Sequence, residues 1–150
     1  MNRRFVSLHS YFKVHPVKLD AIKAMLPKFA AKTATEKAIL FYEFSWNGDE
    51  LFCREAYENA EGLLAHLDNV GVLLTEAMKM ADLTRIEVHG PAAELEKLKK
   101  PLTHSSPPGS RSPAFDLFLG RSRATVADTR TPYLNFPAND RVVSGVEHFM

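Results

Sequence analysis

Only one cysteine, Cys53, occurs in the chain of 150 residues, so no internal disulfide can form and no cysteine-based zinc site can be assembled. A reducing compartment, the cytoplasm, is the expected setting. Charge of one sign is lacking as well. The 19 basic and 18 acidic residues leave a formal charge of +1, which gives no field to draw the chain to nucleic acid or to an acidic membrane. Long hydrophobic runs are also missing. Arg3 and Arg4 look like the basic start of a signal peptide, but His9, Ser10, Lys13 and His15 interrupt the apolar stretch such a peptide needs. Neither a nucleic-acid nor a membrane partner is expected. Gly48, Gly62, Gly71 and Gly90 form no phosphate-cradling loop, and no local motif suggests a Ser-His-Asp or Cys-His set. The 6 histidines are scattered without His-Glu-x-x-His or two-His-carboxylate spacing, so no metal is expected.

What is present reads as one α+β domain over residues 1–102 followed by a tail. Val6, Leu8, Phe12 and Val14 alternate with Ser7, His9, Tyr11 and Lys13, the period-two pattern of a half-buried strand. After Pro16, Ile22, Met25, Leu26, Phe29 and Ala30 recur at helical spacing, with Pro27 predicting a kink or an early break near Lys23 to Pro27. Ala38 to Trp46 is dense in β-branched and aromatic residues, Asn47-Gly48 supplies a turn, and Leu51 to Tyr57 resumes strand character, which predicts a hairpin. Asn59 is a plausible N-cap for a long helix carrying Leu63, Leu64, Leu67, Leu74, Ala77 and Met78 to about Met80. A last strand over Leu83 to His89 and a short helix over Ala92 to Lys99 complete the order. The order β-α-β-β-α-β is the ferredoxin-like split βαβ, in which both helices cover one face of an antiparallel sheet. From residue 103 to 150 the composition turns to His104-Ser-Ser-Pro-Pro-Gly-Ser-Arg-Ser-Pro113 and short apolar islands, expected to be a low-complexity, disordered tail.

Four segments, Leu40-Phe-Tyr-Glu-Phe44, Arg54-Glu-Ala-Tyr57, Ala65-His-Leu67 and Leu83-Thr-Arg-Ile-Glu-Val-His-Gly90, give the chain a resemblance to the antibiotic biosynthesis monooxygenase family, near its quinol monooxygenase-like members. The resemblance implies a homodimer that pairs two sheets into a dimeric α/β barrel. It also implies cofactor-free oxidation of a small aromatic, quinol-like substrate by dioxygen, with neither metal nor flavin. His66 falls on the histidine that the family's second helix commonly carries, and Glu55 and Tyr57 fall in its third-strand motif. The Asn-Trp-His set of haem-degrading barrels is not reproduced, because the lone Trp46 stands before the hairpin turn.

If the apolar residues of the first and last strands face the helices, then His9, Tyr11, Arg85, Glu87 and His89 share the opposite face, where a polar lumen is expected. There a His or Glu would take a phenolic proton and leave an electron-rich anion for dioxygen. The catalytic candidates are His66 and Glu55; the substrate-binding candidates are His9, Tyr11, Tyr42, Trp46, Tyr57, Arg85 and His89. Each has a plainer reading: inter-sheet ion pairs for the strand residues, core packing for Tyr42, Phe44 and Trp46, and a half-buried helix-border side chain for His66. The alternative function is a non-enzymatic dimeric barrel that binds a small hydrophobic ligand or serves as a stress or regulatory partner.

Overall fold

The computed structural model describes residues 5–102 and 124–128, with side chains for residues 5–98. Its elements run β1 (Val6–Val14), α1 (Leu19–Thr33), β2 (Ile39–Asn47), β3 (Glu50–Tyr57), α2 (Ala60–Ala77), β4 (Ala81–Gly90), α3 (Ala92–Leu102) and β5 (Ala124–Asp128). Four antiparallel strands stand in the order β2-β3-β1-β4, and β5 adds a parallel strand beside β4. This is the expected ferredoxin-like split βαβ arrangement. Of the expected tail, Ala124–Asp128 forms this edge strand, and the rest lies outside the described residues.

Strand alternation decides which side chains meet the helices. Val6, Leu8, Ser10, Phe12 and Val14 of β1 are buried, and across the ladder Leu8 faces Glu55, Ser10 faces Cys53 and Phe12 faces Leu51. From the helices, Ile22, Leu26 and Phe29 of α1 and Leu63, Leu67, Val70 and Leu74 of α2 close the core over them. Because Gly48 takes a positive φ of 62°, the two-residue hairpin loop keeps β2 and β3 in register at Asn47 and Glu50.

Pro27 does not break α1, which runs unbroken from Leu19 to Thr33. The carbonyl it deprives of a partner belongs to Lys23, and both residues are exposed, where an unpaired backbone carbonyl costs little. A second departure from simple periodicity is the register shift in β4. Leu83 pairs with Phe12 and Arg85 with Tyr11, leaving Thr84 as the extra residue, whose hydroxyl donates to the Tyr11 carbonyl at 3.1 Å. The bulge lets Leu83 and Ile86, three residues apart, both face the core.

The start of α2 is fixed from two sides. The Asn59 side chain accepts from the Gly62 amide at 2.8 Å, and Glu94 of α3 accepts from the Ala60 amide at 2.9 Å. Gly62 is required here by close approach: a Cβ on it would lie 2.7 Å from the Ala38 Cβ and 3.3 Å from that of Tyr57. Gly62→Ala is therefore expected to destabilise the fold, because overpacking at about 1–3 kcal/mol outweighs the gain in helix propensity of about 1 kcal/mol. A lowered midpoint in urea at unchanged slope checks this.

Candidate active site

Period-two alternation carries Glu55 onto the same face of β3 as Leu51, Cys53 and Tyr57, so a carboxylate enters the core. Opposite it, α2 presents His66, whose side chain is 3% exposed against 5% for Glu55. His66 Nε2 lies 3.1 Å from Glu55 Oε2, and Nδ1 lies 3.0 Å from Glu36 Oε1 in the turn after α1. Glu36 is held by Asn69, which donates to it at 2.8 Å and to the Lys32 carbonyl at 3.0 Å. The Tyr57 hydroxyl donates to Glu55, and the rings of Tyr42 and Tyr57 pack against the imidazole with centroids 5.3 and 5.2 Å away.

The electrostatics follow from this sandwich. Burial works against a charged imidazole, yet the carboxylates of Glu55 and Glu36 outweigh it and hold His66 above the ordinary histidine range. Burial pushes the Glu55 carboxyl up, against the opposing pull of His66 and the Tyr57 hydroxyl. Burial likewise raises the Cys53 thiol and the Tyr42 phenol well above their usual values, so both are neutral groups here. Both the carboxyl and the imidazole are thus held above their ordinary values in one buried pair, a perturbation of the kind that collects at acid–base sites.

Glu55 and His66 form one end of a narrow, partly open cavity between the helices and the sheet, with a volume of about 50 Å³. Tyr42, Cys53 and Ser10 line it near the pair, and Met25, Leu26, Phe29, Val70 and Leu74 supply apolar wall. Glu36 and Tyr57 do not line it; they stand behind His66 and Glu55 and hold them.

The candidates read from the sequence fall into two sets on opposite faces of the sheet. His66, Glu55, Tyr42 and Tyr57 meet on the helix side. His9, Tyr11, Arg85 and His89 gather on the other face, where the rings of His9 and His89 meet edge-on at 5.2 Å, Arg85 lies 5.3 Å over Tyr11, and Glu87 pairs with Arg85. Trp46 belongs to neither set; it lies under Lys23 at the hairpin end, beside a second hollow lined by Tyr11, Ser45 and Phe52. Sequence reading missed Glu36 and Asn69, thirty or more residues from the histidine and glutamate they touch, in segments with no local motif.

The two faces make opposite demands on pH. On the open face, burial and then His89 and Arg54 lower His9 to about 4, and burial with Arg85 lowers His89. For both, the unfolded chain binds the extra proton, so stability is lost as pH falls from about 6.5, the unfolded value. His66 has the reverse sign: the folded state holds its proton more tightly, and stability is lost as pH rises from about 6.5 through its raised value. The thermal midpoint is expected to pass through a maximum near pH 6.5, with His9→Asn flattening the acid limb and Glu36→Gln the alkaline one.

Several solved structures share this architecture. Rv0793 of Mycobacterium tuberculosis superposes at a TM-score of 0.52, with 19% identity over 58% of this chain and 94% of its own. A protein of Nitrosomonas europaea, provisionally named an antibiotic biosynthesis monooxygenase, gives 0.50 with 13% identity over 54% and 83%. At these identities the likeness is one of fold. MupZ of Pseudomonas fluorescens is nearer: 38% identity over 73% of this chain and 99% of MupZ, at a TM-score of 0.64. The chain belongs to one family with MupZ. No family model and no curated protein matches the sequence. As a member of this family the chain keeps the ferredoxin-like core through α3 and adds β5 beyond it. Among the described residues, no helix is long and apolar enough to cross a membrane.

Proposed function

We propose that this chain is an acid–base enzyme that moves a proton on a small, mainly apolar molecule bound between the helices and the sheet. The observation that carries this reading is the Glu55–His66 contact of 3.1 Å, buried at the end of an otherwise apolar cavity. Structural ion pairs rarely need such a wall beside them, whereas a reacting group needs both a water-poor chamber and a proton acceptor.

The resemblance to antibiotic biosynthesis monooxygenases supports cofactor-independent oxygenation of a phenolic or quinol-like substrate as the reaction. Glu55, facing the cavity, takes the hydroxyl proton, and His66 on its far oxygen stabilises the charge that results. The ionised ring then reduces dioxygen directly: one oxygen atom enters the ring to give a quinone, and the other leaves as water with the two hydrogens of the substrate. The domain that does this is residues 1–102, in a cytoplasmic homodimer paired through the sheet face of His9, Tyr11, Arg85 and His89. A second reading, proton transfer without consumption of oxygen, is favoured by one feature. Both ring nitrogens of His66 rest on carboxylates, so the set is suited to return a proton as readily as to take one.

Oxygen uptake by the metal-free protein with a panel of quinols and polyphenols separates the two. Uptake above the autoxidation blank, lost in Glu55→Gln, supports oxygenation. Conversion of a substrate with no uptake supports the second reading, and no conversion of any kind contradicts both.

A further inference from the structure

Proton transfer needs only the polar end of the cavity, yet the cavity extends well beyond it. Along α2 its wall runs from His66 to Ala77, about 16 Å at the helical rise of 1.5 Å per residue. Along β3 it runs from Glu55 to Leu51, about 13 Å at the strand rise. Polar groups collect at one end. Past Ser10 and Cys53 the lining is hydrocarbon and aromatic ring, ending at Phe12, Leu51 and Ala81. Phe12 and Leu51 also line the second hollow beside Trp46 and Asn47, so these two side chains separate the far end of the cavity from the hairpin end of the sheet.

Charge narrows the ligand further. Among the described residues, the cavity lining contains no lysine or arginine, and the one lining group that can carry positive charge, His66, has both ring nitrogens on carboxylates. An anionic ligand would find no free cation, and burying it unpaired would cost more than the apolar wall returns. A cation would meet a single lining carboxyl, that of Glu55, whose Oε2 is already engaged by His66 and Tyr57.

We infer that the substrate is an elongated, uncharged molecule, with a hydroxyl-bearing head at Glu55 and a flexible apolar chain lying between α1, α2 and the sheet toward Phe12 and Leu51. The inference rests on the proton-transfer reading for which end holds the head. The length and neutrality of the ligand come from the wall.

Calorimetric titration with hydroquinones bearing straight alkyl chains of increasing length tests it on the intact protein. Affinity is expected to rise about threefold to fourfold per added methylene and then level off once the chain fills the cavity. In Leu74→Trp, which fills the far half, levelling should come at a shorter chain than in the unaltered protein. A chain ending in a carboxylate should bind at least about tenfold more weakly than its neutral counterpart, since it buries an unpaired charge. Affinity independent of chain length, or equal affinity for the carboxylate, overturns the inference, and both are read on the unaltered protein whether or not the variant folds. Turnover of the same compounds is scored apart. Chain-length dependence without turnover supports the inference and contradicts the catalytic reading alone, and turnover without chain-length dependence does the reverse.

Discussion

Glu55→Gln is expected to lower turnover by about a hundredfold to ten-thousandfold, the contribution of a positioned general base, while leaving the protein folded. The two side chains have the same shape, and burial already favours the uncharged form at this position. The amide oxygen can still accept from Tyr57, so that hydroxyl keeps its acceptor. What it cannot do is take a proton. Substrate binding should therefore persist while kcat falls, and kcat and KM measured together with a urea unfolding curve check both halves. A fall in kcat matched by a fall in stability would mean that Glu55 serves structure instead.

His66→Ala should have the larger effect on stability, a loss of about 3–5 kcal/mol. Glu55 and Glu36 both point at the ring from buried or nearly buried positions, and its removal leaves two carboxylates facing each other without a cation between them. Part of the loss also comes from the space vacated beside Tyr42 and Tyr57. The loss is expected to be smaller in acid, where protonation of the freed carboxyls removes the repulsion. Adding Glu36→Gln to His66→Ala should recover stability, a non-additivity that identifies the charges as the cause. A simple sum of the two single effects would contradict this origin.

The strands and helices were legible because each carries one clean period. The alternation Val6 to Val14 and the Asn59 cap announce β1 and α2 at the residues where they begin. Where two local rules competed, the sequence misled. Pro27 reads as a kink or an early break, but the helix runs on past it at a turn where Lys23 and Pro27 are exposed. The Thr84 bulge shifts a strand's phase by one residue, and nothing within β4 signals it because it is set by the pairing with β1. The site was legible in part for the same reason. His66 at the border of an apolar helical stripe and Glu55 on the apolar parity of β3 are local anomalies, visible one residue at a time. That they touch, and that Glu36 completes the pair from a turn, depends on how α2 crosses the sheet, which no local pattern encodes. His9, Tyr11, Arg85 and His89 stand together on the other side of the sheet, as the alternation of β1 and β4 predicts.

A crystal structure with a bound alkylhydroquinone puts the central claim to the most direct test. The site described here places one ring hydroxyl within 2.6–3.2 Å of Glu55, the reach of a general base, with the chain running along Val70 and Leu74 toward Phe12. A ligand lodged instead on the opposite face of the sheet, among His9, Tyr11 and His89, with the helix-side cavity empty, would contradict it.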